Sequence, residues 1–207
     1  MAEGEVIHVI DDDEAMRDSL AFLLKACALD VQTYESADAF LSGLNDRPRG
    51  CVVTDIRMPG MSGIDLLRAL AEAKHDMPVI VITGHGDIPL AVEAMKLGAF
   101  EFLEKPFEDR RILSAIRSAL ERSREVGQRA SEISAIAERL ASLSQRERQV
   151  LDGLVVGHPN KTIAFDLGIS PRTVEVYRAN VMDKMQASSL SDLVRMVLVC
   201  EGNETGA

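Results

Sequence analysis

The sequence predicts a doubly wound α/β domain followed by a small all-α domain. In the first half, short apolar runs alternate five times with segments of helical periodicity, which is the order of a parallel sheet covered by helices. The apolar runs are nearly continuous in Val and Ile, as expected for strands buried on both faces. The chain has 207 residues, which exceeds the usual size of one domain, so two domains are expected.

The elements of the first domain follow from local patterns. The predicted strands are residues 6–10, 31–34, 51–54, 78–82 and 100–103, of which 31–34 and 100–103 are the weaker ones. The predicted helices are residues 14–28, 36–46, 62–73, 87–97 and 108 to about 124, where apolar residues recur at helical spacing. We therefore expect a five-stranded parallel sheet with helices on both faces.

Polar residues lie at the C-terminal ends of these strands. They are Asp11, Asp12, Asp55, Thr83 and Lys105. Because the carboxyl ends of parallel strands meet at one edge of a sheet, we expect these side chains to share a crevice. Three carboxylates repel one another unless a hard cation such as Mg2+ relieves the repulsion. Asp55 is the candidate nucleophile for a phosphoryl group, since an Asp can form an acyl phosphate. Lys105 and Thr83 would contact the phosphoryl oxygens.

Two other interpretations compete with this crevice. Asp11, Asp12 and Asp13 could be acids that cap the helix at 14–28, and this is the favoured role for Asp13. A haloacid-dehalogenase-type phosphatase also uses an Asp nucleophile with Mg2+ in an α/β sheet. That enzyme class needs a second Asp two residues after the first, where this chain has Arg57.

The motifs of the first half resemble the receiver domain of bacterial two-component response regulators. They are Asp11-Asp12, residues 54–63 (TDIRMPGMSG), residues 81–86 (VITGHG) and residues 105–107 (KPF), and the resemblance spans about residues 4–123. It implies a flavodoxin-like fold, in which Asp55 accepts a phosphoryl group from a sensor histidine kinase. We expect phosphorylation to change the surface of the helix at 87–97 and of the adjacent strand, and so to create the interface of a homodimer.

The same resemblance implies roles for the surrounding residues. Asp12, Asp55 and the backbone carbonyl of Arg57 would bind Mg2+, with Asp11 supporting them through water. Thr83 and Phe102 match the switch pair of the family. Lys105 matches its phosphate-contacting lysine, and the Lys105–Pro106 peptide bond is expected to be cis.

The charge balance restricts where nucleic acid could bind. The net charge is −10, and residues 1–123 hold 13 Lys/Arg against 22 Asp/Glu, whereas residues 143–207 hold seven against eight. Because an acidic protein repels a polyanion at long range, any DNA contact must come from a local face of the C-terminal part.

No apolar run is long enough to span a membrane and no leader pattern is visible, so we expect a cytoplasmic protein with no membrane partner. Cys27, Cys51 and Cys200 are expected to be buried.

Residues 124–142 are predicted to form a helical linker. The apolar residues Ile133, Ile136, Ala137 and Leu140 follow one helical stripe. The stripe could simply pack on a neighbouring element, or it could form a signalling rod or dimer seam. The sequence leaves both possibilities open.

The C-terminal part contains a helix-turn-helix pattern. Ser144 and Glu147 form a capping box for a helix that Gly157 ends, and a short helix from 159 to 167 is closed by Gly168. Ser170-Pro171 begins a third helix that runs to about residue 186, and Ser191 is expected to cap a last helix through residue 200. The short turn at 167–170 would place the third helix in a major groove.

The third helix supplies the candidate DNA contacts. Val174, Val181 and Met185 are expected to face the core. The remaining surface carries Glu175, Val176, Arg178 and Ala179, which suit contacts to base edges, and Arg172 flanks them as a further candidate contact. Lys161, Thr173 and Lys184 are assigned to phosphate contacts. The alternative is an ordinary solvated helix face.

A second resemblance favours DNA binding. Residues 143–147, 159–164, 167–170 and 173–176 are similar to the LuxR-type four-helix DNA-binding domain over about residues 140–200, although Tyr177 stands where many members have histidine. The chain is thus divided into a receiver domain (1–123), a helical linker (124–142) and a LuxR-type domain (143–207). The resemblance to the LuxR-type domain implies promoter DNA and RNA polymerase as partners, and a regulator rather than an enzyme.

Both halves together resemble a subfamily that controls nitrogen-fixation genes in rhizobia. The matching runs are residues 83–87, 104–109 and 170–176. This resemblance implies an oxygen-responsive kinase and activation of microaerobic genes. A paralogue that answers another signal shares these motifs, and a signalling adaptor whose helical output binds protein or RNA stays open as well.

Overall fold

The computed structural model describes residues 5–44, 48–84 and 88–204. It divides into two compact units, Met1–Gly127 and Gln128–Ala207. The domain and linker boundaries given above stay predictions. His85, Gly86 and Asp87, which belong to two of the quoted motifs, lie outside the described residues.

The first unit contains the predicted parallel sheet. Its strands are β1 (Val6–Ile10), β2 (Asp30–Tyr34), β3 (Gly50–Asp55), β4 (Val79–Thr83) and β5 (Glu101–Glu104). They are arranged in the order β2-β1-β3-β4-β5, and every neighbouring pair is parallel. The doubly wound α/β class is therefore confirmed.

Helices cover both faces of this sheet. They are α1 (Glu14–Ala26), α2 (Ala37–Leu41), α3 (Gly63–Glu72), α4 (Ile88–Lys96) and the long α5 (Asp109–Ala141). Alternate residues of each strand point to opposite faces, so Val52 and Val81 pack with α2, α3 and α4, whereas Val53 and Ile82 pack with α1 and α5. This two-sided burial explains the continuous Val and Ile runs.

Three local predictions can be compared with the first unit. The Asp13 side chain accepts hydrogen bonds from the backbone N–H groups of Ala15 and Met16, so its capping role is confirmed. Helix α5 has no break at residue 124 and continues through the predicted linker to Ala141. Burial is confirmed for Cys51 but wrong for Cys27, which is exposed because it is the C-cap residue of α1.

The second unit contains the end of α5 and four more helices. These are α6 (Gln145–Val155), α7 (Asn160–Leu167), α8 (Pro171–Met185) and α9 (Leu190–Glu204). Ser144 and Glu147 form the predicted capping box, and Gly168 closes α7 in the left-handed conformation. The predicted cap at Ser191 is wrong, because α9 begins at Leu190, so Ser191 lies inside the helix, and the Ser189 hydroxyl accepts the Asp192 N–H.

The core of the second unit is formed by all five helical segments. Val174, Val181 and Met185 are fully buried, as predicted, and they pack with Val150 and Leu154 of α6. From the linker stripe, Ile136 is buried and Leu140 packs against the same core, but Ala137 is exposed. Cys200 is half-buried at this core. In the described ranges, no helix combines the length and apolarity needed to cross a membrane.

Candidate functional site

The C-terminal edge of the sheet brings three of the predicted site residues together. Asp55 is the last residue of β3, Asp11 follows β1 and Lys105 follows β5. The Lys105 Nζ atom lies 2.5 Å from Oδ1 of Asp55 and 3.3 Å from Oδ2 of Asp11. We call these three residues the strand-end cluster. The Lys105–Pro106 peptide bond that follows it is cis, as predicted.

Burial and charge determine the protonation of this cluster. Asp11 is 3% exposed and Asp55 is 8% exposed. Burial raises the pKa of Asp11, and the hydrogen bond from the Asp13 N–H and the charge of Lys105 offset this only in part. Burial also lowers the pKa of Lys105, but its hydrogen bond to Asp55 and the charges of both carboxylates raise it more, so the net shift is upward. Lys105 therefore stays cationic between the two acids.

The remaining predicted residues lie at the margin of the cluster. The second oxygen of Asp55 accepts the backbone N–H of Arg57 at 2.6 Å. Asp12 is exposed and lines, together with Arg57, an open pocket of about 660 Å3. Thr83 ends β4 with only 2% exposure. Phe102 is half-buried in β5, opposite Val81, and packs on the core beside α3 and α4.

The fit to Mg2+ depends on the donor atoms at this edge. Within residues 5–44, 48–84 and 88–204, no three His, Cys, Asp or Glu side chains converge as a metal-holding group. Mg2+ does not need such a cage, since it usually keeps several waters and takes one or two carboxylates. Asp11 and Asp55 offer oxygen donors, and the raised pKa of Asp11 marks a carboxylate that a further cation would stabilise. The residues fit the ion.

The second candidate site is the exposed side of α8. Arg172, Glu175, Val176 and Ala179 are exposed, whereas Thr173 and Arg178 are half-buried. The four exposed residues lie on the side of α8 opposite the buried Val174, with Thr173 and Arg178 at the margins of that side, and we call this surface the outer face of α8. Lys161 is exposed on α7. The Thr173 hydroxyl lies 2.8 Å from the Ser170 hydroxyl at the start of the helix.

Lys184 makes contacts that the sequence did not reveal. Its Nζ atom donates to Oε2 of Glu147 at 2.7 Å and to the carbonyl of Ser142 at 3.4 Å. Glu147 is 4% exposed. The hydrogen bond from Lys184, and those from the Ser144 N–H and hydroxyl, lower the pKa of Glu147 to about 2. The capping box identified Glu147 only as a helix cap, and no local pattern pointed to a partner 37 residues away.

Comparisons with known proteins identify a family for each half of the chain. Residues 7–117 match the family model described as response regulator receiver domain, and residues 141–197 match that of bacterial regulatory proteins, luxR family. The transcriptional regulatory protein FixJ of Azorhizobium caulinodans is 60% identical over 96% of this chain and 94% of its own length. The chain belongs to the response regulators. FixJ of Bradyrhizobium diazoefficiens is 55% identical over 93% of this response regulator and 94% of its own length.

Solved structures extend the comparison to the fold. The response regulator StyR matches with a TM-score of 0.85 and 42% identity, over 94% of this chain and 98% of that one. Full-length FixJ from B. japonicum matches with a TM-score of 0.60 and 53% identity, over 97% and 98% of the two chains. The protein is thus a FixJ-like two-component transcriptional regulator. Its receiver domain implies a sensor kinase and its LuxR-type domain implies DNA binding; receiver domains generally bind Mg2+ for phosphorylation.

Proposed function

We propose that Asp55 is the residue that accepts the phosphoryl group. The observation that supports this most strongly is the short contact between its Oδ1 atom and Lys105, at the mouth of a crevice formed by strand ends. A carboxylate oxygen of Asp55 attacks the phosphorus atom, and the bond from phosphorus to the donor's leaving atom breaks. The aspartyl phosphate that results carries more negative charge than the carboxylate did.

Lys105 and Thr83 act on this added charge. Lys105 stabilises the phosphoryl oxygens as a point charge, because its raised pKa keeps it protonated. The Thr83 hydroxyl, one strand away, donates a hydrogen bond to them. Mg2+ would be held by Asp11, Asp12, Asp55 and the Arg57 carbonyl, and when bound it neutralises charge on the phosphoryl group.

The proposed switch couples Thr83 to Phe102. Val81 and Thr83 point to the same face of β4, and Phe102 packs beside Val81 on β5. When Thr83 moves toward the phosphoryl group, Phe102 rotates inward into the space that Thr83 leaves. The surface formed by α4 and β5 changes with it, and the phosphorylated protein forms a homodimer through that surface.

The output is promoter binding by two copies of the second unit. Arg172, Glu175, Val176, Arg178 and Ala179 of α8 read base edges, and Lys161 and Thr173 contact phosphates. Two linked domains bind a two-fold site more tightly than one. For Lys184 we propose that it positions α8 through Glu147, which replaces the phosphate contact expected from the sequence.

The biological role we propose is activation of nitrogen-fixation and microaerobic genes. A FixL-like, oxygen-responsive histidine kinase would supply the phosphoryl group, and RNA polymerase would be recruited to the promoter. The identities of 55–60% to FixJ proteins, against 44% to the response regulator protein TodT of Pseudomonas putida, favour this role over that of a paralogue answering another signal.

The decisive experiment is the Asp55→Asn variant. With acetyl phosphate and Mg2+, the wild type should gain the mass of one phosphoryl group, dimerise and bind promoter DNA more tightly, whereas the variant should do none of these. The matched control is Asp13→Asn, since Asn caps a helix as well as Asp does. Intact-mass spectrometry, size-exclusion chromatography and gel shift give the three readouts. A phosphorylated or dimerising Asp55→Asn protein contradicts the proposal.

A further inference from the structure

A second polar cavity lies at the opposite edge of the sheet, where the strands begin. It measures about 270 Å3 and is lined by Arg49, Lys74, His75, Asp76, Met77, Ser123 and Val126. Arg49 directly precedes β3 and Met77 lies just before β4, whereas Asp55 and Thr83 are at the other ends of these strands. We call this cavity the strand-start pocket. It is separate from the strand-end cluster.

The charge of the strand-start pocket differs from that of its surroundings. Residues 1–123 carry a net charge of −9, with 13 Lys/Arg against 22 Asp/Glu. The pocket nevertheless places Arg49 and Lys74 against the single carboxylate of Asp76. In the described part of the chain, neither Arg49 nor Lys74 forms an ion pair. The two cations are therefore available to a ligand.

Two neutral donors complete the lining. Ser123 is only 7% exposed, and its hydroxyl makes no hydrogen bond to any described residue although it borders the cavity. Burial lowers the pKa of His75, so its ring is neutral near pH 7. Because Nδ1 of His75 accepts the Met77 N–H at 3.4 Å, the ring proton lies on Nε2, which is then a donor.

The backbone holds these groups in place. Lys74 and His75 follow α3 in a tight turn, in which their N–H groups donate to Ala71 and Leu70 and Lys74 has a left-handed φ of 51°. The guanidinium of Arg49 lies against α5 at Gly127, where an added Cβ would come within 2.5 Å of Nη1. Arg49 is thereby directed to the side of α5 that carries Ser123.

We propose that the strand-start pocket binds a small phosphate-class oxyanion. Two cations and two neutral donors match a tetrahedral anion that carries several acceptor oxygens. A volume of 270 Å3 corresponds to roughly nine waters, so the pocket also has room for a small organic group attached to the phosphate. The bound ligand contacts Ser123 and Val126 of α5, the helix that continues to Ala141.

The test is an amide NMR titration of the full-length protein without Mg2+. Inorganic phosphate and, separately, glycerol 3-phosphate are added at constant ionic strength, with sodium chloride as the reference. We expect saturable shifts of the Lys74, His75 and Ser123 amides. Binding of both ligands shows that the phosphoryl group is the recognised part, and binding of the monoester alone identifies an organic phosphate. Shifts that chloride reproduces, or shifts confined to residues around Asp55, overturn the proposal.

Two variants separate binding from folding. Arg49→Gln should weaken phosphate binding about tenfold, because a charged donor is lost. Lys74→Gly should also weaken binding without lowering the Tm, since Gly adopts the left-handed conformation more easily than Lys. Lys96→Gln, which removes an exposed lysine of α4 outside the pocket, is the control and should bind as the wild type does. Unchanged affinity in both pocket variants contradicts the assignment.

Discussion

The strand-end cluster and the outer face of α8 are assembled from the chain in different ways. Lys105 meets Asp55 and Asp11 across 50 and 94 residues, and all three side chains are at least half-buried. The outer face of α8 comes from one 15-residue helix, and most of its side chains are exposed. In the first region each side chain depends on its neighbours, whereas in the second each can act almost independently. Single substitutions should therefore have large, coupled effects in the cluster and small, separable ones on α8.

The largest effect is expected for Lys105→Met. Loss of the cation leaves Asp11 and Asp55 facing each other and removes a donor aimed at the phosphoryl group. Phosphorylation by acetyl phosphate should become slower by about 10²–10³-fold, as when one preorganised donor is removed from an active site. The rate is followed by intact-mass spectrometry, with Lys25→Met, an exposed lysine of α1, as the control. A rate equal to that of the wild type would remove Lys105 from the mechanism.

On α8, Arg178→Ala should weaken the free energy of binding to the specific duplex by about 1–3 kcal/mol and relax specificity at a single base pair. Lys161→Ala should instead weaken binding to all sequences and reduce the salt dependence by about one phosphate contact. Fluorescence anisotropy over a salt series, with specific and scrambled duplexes, distinguishes the two. If both variants behave alike, the separation into base-reading and phosphate-contacting residues is wrong.

Variants of Lys184 test whether α8, which carries the outer face, is coupled to α6 through Glu147. We expect Lys184→Met to reduce both Tm and DNA affinity while the salt dependence stays unchanged, because the lysine acts through Glu147 rather than on a phosphate. The double variant Lys184→Met with Glu147→Gln should lose less free energy of unfolding than the two single variants lose together, since the two side chains share one interaction. A decrease in the salt dependence by about one contact would return Lys184 to the DNA surface.

The smallest effect is the contribution of single carboxylates to the pH dependence of stability, which has opposite signs at Glu147 and at Asp11. The pKa of Glu147 is lowered from 4.5 to about 2, so its contribution to stability is complete above pH 4.5 and is lost as the pH falls toward 2. The pKa of Asp11 is raised, so protonating it at falling pH relieves an unfavourable charge instead. Thermal melts followed by circular dichroism from about pH 5 to about pH 2 should show a flatter acid dependence for Glu147→Gln than for the wild type. An identical dependence would contradict the pairing with Lys184.

The sequence predicted those parts of the fold that local chemistry determines. Val and Ile runs located the strands, and the residue after each run identified the edge where Asp55 and Lys105 meet. The capping box at Ser144 and the left-handed Gly168 were equally local. The resemblance to receiver domains then supplied the switch role of Thr83 and Phe102, which periodicity alone could not.

The features that local patterns missed depended on choices between similar neighbours or on distant contacts. Ser189 and Ser191 are both good N-caps, so residue type alone does not show that the Asp192 N–H bonds to Ser189. The stretch after residue 123 has no proline, so nothing in it shows whether α5 stops or continues. No local pattern showed that Lys184, which was assigned to a phosphate contact, pairs with Glu147, because that partner is 37 residues away.

Cys27 and Cys51 differ in exposure, so their reactivity can be used to measure local opening of the first unit. Cys27 is exposed, whereas Cys51 is buried near the start of β3, where burial raises the pKa of its thiol to about 12. A thiol reagent should therefore modify Cys27 at once and reach Cys51 only when the sheet separates. Since β3 ends in Asp55, the modification rate of Cys51 would reveal, without any added label, how firmly the central strand is held before and after phosphate transfer.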